Sequence, residues 1–409
     1  MNDEMYMRRA LELAVRGRGY TNPNPMVGAV IVKDGRIIGE GYHEKYGQLH
    51  AERNALKNCT ESAEGATIYV TLEPCCHYGK TPPCTEAIIE SGIKRVVVGM
   101  LDVNPVVAGN GVRILEEHGI EVTVGVLEEE CRKLNKIFIK YISEKIPFVT
   151  MKYAMTSDGK IATVTGQSKW ITGTSSRENV HRTRHAMMGI MVGVGTVIVD
   201  DPMLDVRLSE FAEGSTSIDS ASKEKGNICD RESREPMNPI RIICDSNLCT
   251  PPDARVVRTA KDIRTIIATV SDDAEKIKMF EDKGCEVVKV DAFNGKVDLK
   301  KLMIILGEIG IDSILLEGGG ELNFSAMKAQ IVDEVQIYMA PKIFGGCAKS
   351  PVGGRGIENI DEAVKLNPIK VEMFDGDIFI ENEVIYGDEA MNISGGELQP
   401  GMEALCLQA

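Results

Sequence analysis

Apolar residues recur every three to four positions over Glu4–Arg16, with Met7, Ala10, Leu11, Ala14 and Val15 on one side, and predict an amphipathic helix. The period then shortens to two. VGAVIVKDGRIIGEGY (27–42) reads as a β-hairpin turned at Asp34-Gly35. HAERNALKNC (50–59) is helical again. A strand over 66–71, a helix after Pro83, a strand over 93–99, a helix near 111–118, a strand over 120–126 and a helix over 127–141 follow. Strands separated by helices imply a mostly parallel sheet in a three-layer α/β arrangement.

SEKIP (143–147) reads as a short linker. Beyond it, strands are predicted at 148–154, 189–194, 240–244, 264–269, 286–290, 313–316 and 333–340. Helices are predicted near 176–186, 272–283, 298–308 and 320–328, which makes a second α/β domain. Residues 209–238 are polar, charged and poor in branched apolar side chains, and read as a flexible surface insertion. The expected division is 1–145, 146–386 and a weakly patterned tail at 387–409.

A chain of 409 residues exceeds one ordinary domain, in keeping with that division. The net charge of −14 argues against a nucleic-acid partner, which needs a clustered basic surface. A small phosphorylated substrate is still compatible, since two or three local cations suffice. Eleven cysteines over this length are not a disulfide framework. The first residues form a helix pattern without a long apolar core, so no leader is expected. No apolar run reaches membrane-spanning length. A reducing cytoplasm with free thiols is the consistent location.

The chemistry concentrates at QLHAERNAL and TLEPCCHYGKTPPCTEA. His50, Cys75 and Cys84 supply three nitrogen and sulfur donors of the kind zinc prefers, and a catalytic zinc keeps a fourth position open for water. Glu52, two residues from His50, is the carboxylate that would carry protons. The zinc-deaminase signature is H-x-E with P-C-x-x-C. Here eight residues, rather than two, separate the cysteines, and Cys76 and His77 are the rival ligands. Deamination would then use zinc-activated water.

Several motifs in order resemble the bifunctional deaminase–reductase family of bacterial riboflavin biosynthesis: HAE, PCCHYGKTPPC, KYAMTSDGKIAT, GQSKWITG, GVGTVIVDDPMLDVR and LLEGGGELN. The resemblance runs from about residue 21 to 385. It implies a cytidine-deaminase-like first domain and a dihydrofolate-reductase-like second domain. The first would deaminate a phosphoribosylated diaminopyrimidine. The second would reduce the ribosyl group to ribityl with NADPH. By the same resemblance His50, Cys75 and Cys84 are the zinc ligands and Glu52 the proton carrier. Asn24, His43 and Lys80 would contact the deaminase substrate. Ala154, Trp170, Thr196, Asp200, Ser246 and the turn Gly319, Gly320, Glu321, Leu322, Asn323, Phe324 and Ser325 would contact NADPH. Ser168, Arg184, Leu204, Arg207 and Glu317 would contact the reductase substrate. A homodimer or homotetramer is implied as well.

Two departures from the family stand out: Met188 replaces a common Asp, and Asn110 a common basic residue. Two other readings share the zinc residues. A nucleic-acid deaminase would want a basic surface and no large second domain. A nucleotide-binding regulator with structural zinc would need a fourth ligand, for which Cys76 or His77 is available. A narrower alternative has only one of the two domains active.

Overall fold

A computed structural model of the chain describes residues 3–79, 82–105, 107–208 and 234–387. Helix α1 (Asp3–Ala14) buries Tyr6, Met7, Ala10, Leu13 and Ala14 against a five-stranded sheet. Its strands are β1 (Gly28–Lys33), β2 (Arg36–Tyr42), β3 (Thr67–Leu72), β4 (Arg95–Met100) and β5 (Glu121–Val124). Their order is β2-β1-β3-β4-β5. β3, β4 and β5 run parallel, but β1 is antiparallel to both β2 and β3. The sheet is therefore less uniformly parallel than the alternation of elements predicts, because β1 and β2 form the expected hairpin. Its turn has Asp34 at φ 49° and Gly35 at φ 75°, two left-handed residues that match the twist of the strands.

Helices α2 (Ala51–Lys57), α3 (Cys84–Glu90) and α4 (Asn110–Glu117) alternate with these strands. The single helix expected over 127–141 is two, α5 (Glu128–Leu134) and α6 (Lys136–Glu144). They break at Asn135, whose side chain clasps the backbone of Met26, accepting from its N–H at 2.8 Å and donating to its carbonyl at 3.0 Å. Helix α6 reaches Glu144, which leaves little of the SEKIP linker.

Later strands are β6 (Phe148–Thr156), β7 (Gly189–Gly193), β8 (Ile240–Cys244), β9 (Thr265–Thr269), β10 (Glu286–Lys289), the small hairpin β11 (Ala292–Phe293) and β12 (Lys296–Val297), β13 (Ser313–Leu316), β14 (Glu334–Ala340), β15 (Lys365–Phe374) and β16 (Asp377–Ile385). Packing divides the chain into two units: Met1–Phe148 with Glu178–Leu315, and Val149–Arg177 with the residues from Leu316 onward. The first unit holds strands in the order β10-β9-β8-β7-β13, over a core that includes Ile190, Val192, Ile243, Ile267 and Phe280. Within it, buried Asp312 accepts from the Asn22 amide at 2.9 and 3.1 Å, and Tyr141 donates to the Gly307 carbonyl at 3.1 Å. Residues 178–315 thus pack with the amino-terminal sheet, and the packing units are not coextensive with the expected sequence domains.

The second unit holds β6-β14-β16-β15, with β6 parallel to β14 and an antiparallel β15–β16 hairpin. That hairpin is absent from the strands predicted above. β15 carries Pro368, which weakens a strand signal, and its alternating Ile369, Val371 and Met373 lie exposed rather than buried. Most of the expected 209–238 insertion and of the 387–409 tail lies outside the described residues, as does Lys80. Among the described residues no helix is long and apolar enough to cross a membrane.

Candidate functional site

Two helix starts and one loop make the first site. His50 is the residue before α2, with extended backbone (φ −75°, ψ 167°), and its ring does not cap the helix. Glu52 lies in the first turn of α2 and is 3% exposed. Cys75 follows β3 by three residues, and Cys84 opens α3. The first turn of α3 closes directly on Cys75: Cys84 N–H donates to the Cys75 carbonyl at 3.0 Å and to its Sγ at 3.3 Å. His50 Nδ1 lies 3.4 Å from Cys75 Sγ and 3.5 Å from Cys84 Sγ.

All three donor atoms fall within 4.8 Å of one another. Two thiols and an imidazole, largely shielded from solvent, form a donor set that fits zinc. Three protein ligands leave one position for water, the arrangement of a catalytic rather than a closed structural site. Cys76 and His77 do not join the cluster. Hydrogen bonding with the Cys84 thiol, reinforced by His50, pushes Cys75 down to about 4 against the opposing effect of burial. The same pairing holds Cys84 well above the ordinary thiol range. Burial, with the nearby Cys75 charge, pushes Glu52 up to about 7.

His50, Glu52 and Cys75 open on a cavity of about 320 Å³, lined also by Asn24, His43, His77, Asp102, Asn104, Phe138 and Tyr141. His43 is 2% exposed and packs edge-on against His50, with ring centroids 5.3 Å apart. Its Nδ1 lies 3.1 Å from the Leu49 carbonyl and its Nε2 3.2 Å from the Asn24 amide nitrogen. Donation from Nδ1 to the carbonyl leaves Nε2 to accept from Asn24, so a neutral ring satisfies both contacts. Burial lowers the His43 pKa, which favours that neutral form.

Three residues that the sequence did not single out belong here. Asp102 and Asn104 line the cavity, and burial raises Asp102 to about 6. Glu73, 3% exposed, receives the backbone N–H groups of Asp102, Gly109, Gly111 and Val112. Its position in TLEPC, directly before Pro74-Cys75, was the available signal.

The residues expected to serve the second activity fall on both packing units. In the first unit, Arg184 donates from Nη1 to the Asp205 carbonyl at 2.9 Å. Arg207 accompanies it, its N–H donating to His181 Nδ1 at 3.1 Å and its Nε to Asp205 Oδ1 at 3.1 Å. Leu204, buried and at φ 51°, lies on the same turn. Thr196 and Asp200 lie on the helix Val194–Asp200. The Ser246 hydroxyl accepts from Val297 N–H at 3.1 Å.

In the second unit, Lys152 and Glu317 form a largely buried ion pair at 3.4 Å. Ala154 sits on β6, and Ser168 is half-buried. Trp170 is 62% exposed, with the Arg177 guanidinium 4.5 Å from its ring centroid. Gly318, at φ 100°, and Gly319 lead into the helix Gly320–Lys328, which carries Glu321, Leu322, Asn323, Phe324 and Ser325. A glycine turn into a helix N-terminus presents backbone N–H groups suited to phosphate oxygens. Among the described residues the buried Asn323 Oδ1 has no hydrogen-bond partner, which fits a site that a polar cofactor completes.

The sequence profile of the RibD C-terminal domain matches residues 147–380, and that of the cytidine and deoxycytidylate deaminase zinc-binding region matches residues 1–100. The riboflavin biosynthesis protein RibD of Actinobacillus pleuropneumoniae is 52% identical, with 94% of this chain and 96% of that protein covered. RibD of Escherichia coli (strain K12) is 39% identical, with 89% and 94% covered. A Thermotoga maritima diaminohydroxyphosphoribosylaminopyrimidine deaminase/5-amino-6-(5-phosphoribosylamino)uracil reductase superposes with a TM-score of 0.79 at 40% identity, covering 94% of this chain and 99% of that one. Acinetobacter baumannii RibD gives a TM-score of 0.80 at 35% identity, with the same coverage.

Proposed function

The chain belongs to the RibD family of riboflavin biosynthesis proteins, and from that membership we propose how its own residues divide the work of a bifunctional deaminase and reductase. Residues 1–145 deaminate a phosphoribosylated diaminopyrimidine; residues 146–386 then reduce the ribosyl group of the product to ribityl phosphate. The observation that carries the reading is the meeting of His50, Cys75 and Cys84 beside buried Glu52, with His50, Glu52 and Cys75 lining one cavity.

His50, Cys75 and Cys84 hold the zinc. When bound, zinc acts as a Lewis acid and lowers the pKa of water to roughly 7. Glu52 would take one proton from water and pass it to the ring nitrogen, then take the second proton of that water and deliver it to the amine, which departs as ammonia. A buried carboxyl group beside the donor cluster is placed for both acceptance and return of a proton. His43 and Asn24 orient the pyrimidine, and Lys80 meets the phosphate. Replacing Glu52 with Gln should leave zinc at one per chain while deaminase kcat falls by about 10²–10⁴-fold. Metal analysis alongside product formation tests this. A Glu52→Gln enzyme with unreduced turnover would remove Glu52 from the mechanism.

In the reductase, NADPH supplies the hydride. Ala154, Trp170, Thr196, Asp200, Ser246 and the Gly319–Ser325 turn bind the cofactor. Arg184 and Arg207 grip the substrate phosphate as forked donors, helped by Ser168, Leu204 and Glu317. We further infer a cytoplasmic homo-oligomer, with neither nucleic acid nor membrane as partner.

A further inference from the structure

Glu73 spends its whole acceptor capacity on backbone. Oε2 accepts from Asp102 N–H at 3.1 Å and Gly109 N–H at 2.9 Å, and Oε1 from Gly111 N–H at 2.9 Å and Val112 N–H at 3.2 Å. Two of these donors open α4, whose N-cap residue Gly109 has no side chain to cap it. Glu73 N–H also donates to the Met100 carbonyl at 3.0 Å. The contact is close on the other side too: a Cβ on Gly111 would meet the Pro74 carbonyl oxygen at 2.3 Å and Glu73 Oε1 at 3.1 Å. Asp102 Oδ1 in turn accepts from Asn104 N–H at 2.8 Å, which fixes the two cavity-lining side chains to one turn.

We propose that Glu73 is a positioning residue of the deaminase: its carboxylate locks the stretch carrying Asp102 and Asn104 onto the loop of Cys75, and so sets one wall of the substrate cavity relative to the metal ligands. The inference rests on the reading of this cavity as the deaminase site. A carboxylate is needed because it only accepts, at about four lone-pair positions. Glutamine is nearly isosteric but turns one oxygen into a donor facing two N–H groups, which leaves those buried donors unpaired. Glu73 touches the wall rather than the reacting atoms, so its loss should weaken substrate binding more than chemistry.

The test is steady-state deaminase kinetics of Glu73→Gln and, independently, Gly111→Ala, with zinc content and reductase activity on the deaminated substrate measured in the same preparations. Gly111→Ala leaves Glu73 intact but pushes the stretch away. Both variants should raise KM by about tenfold with kcat within about threefold, since uniform binding is what is lost. Zinc and reductase activity should be unchanged. An unchanged KM in either variant would overturn the proposal. So would a loss of zinc, kcat and reductase activity together, which assigns Glu73 to folding alone. Failure of the underlying reading has a different signature: the unsubstituted protein would not deaminate the pyrimidine.

Discussion

In the proposed metal triad each candidate ligand is placed by backbone that is already committed. Cys84 is fixed by the first turn of α3 closing on Cys75, and His50 by the extended residue that starts α2. Cys76, adjacent to Cys75, lies outside the triad. Cys84→Ser should therefore abolish stoichiometric zinc, whereas Cys76→Ser should keep it, read by metal analysis of the purified proteins. Full zinc in Cys84→Ser would hand the third ligand to Cys76 or His77. The clustering of His50, Cys75 and Cys84 was legible in the sequence because donor-type side chains stood at a characteristic spacing, with Glu52 beside them. For Glu73 the sequence offered only its place directly before Pro74-Cys75, because its partners are backbone N–H groups 29 to 39 residues downstream, and backbone donors leave no residue-type signature of their own.

Helices and strands followed periodicity wherever one face was buried. The β15–β16 hairpin and the break at Asn135 escaped for different reasons. Pro368 interrupts the apolar alternation of β15, whose Ile369, Val371 and Met373 lie exposed, and the break is imposed by a contact with Met26 from 109 residues away. Close packing of α1 on β1 depends on one small residue. A Cβ on Gly28 would lie 1.9 Å from the Ala10 carbonyl oxygen and 2.8 Å from Ala14 N. Gly28→Ala must push α1 off the sheet and should destabilise the protein by about 1–3 kcal/mol, as overpacking does. A denaturation midpoint equal to that of the unsubstituted protein would mean that α1 does not rest on β1 as described.

The two activities and their order along the chain were readable from motifs. The grouping of 178–315 with the amino-terminal sheet was not. Contacts such as Asn22 to Asp312 join residues 290 apart and carry no periodic signal. Asp312 also makes this assembly sensitive to pH. Burial raises its pKa from 3.8 to about 6, against the pull of hydrogen bonds from Ser313 and Asn22. The folded state thus binds a proton more tightly than the unfolded chain. The stabilisation is complete below pH 3.8 and is lost as pH rises through about 6. A shift of this size corresponds to about 3 kcal/mol at most. Asp312→Asn should flatten the fall in unfolding free energy across that window. An undiminished fall in the variant would assign it elsewhere, with half-buried Asp102 the next group to test.

Mass spectrometry of the products from the phosphoribosylamino-diaminopyrimidine, with and without NADPH, tests whether one chain performs both reactions in sequence. The expected result is exchange of an amine for oxygen without NADPH, then gain of two hydrogens once NADPH is added. A zinc-loaded protein that leaves the pyrimidine unchanged, or that reduces it before deamination, would contradict the account.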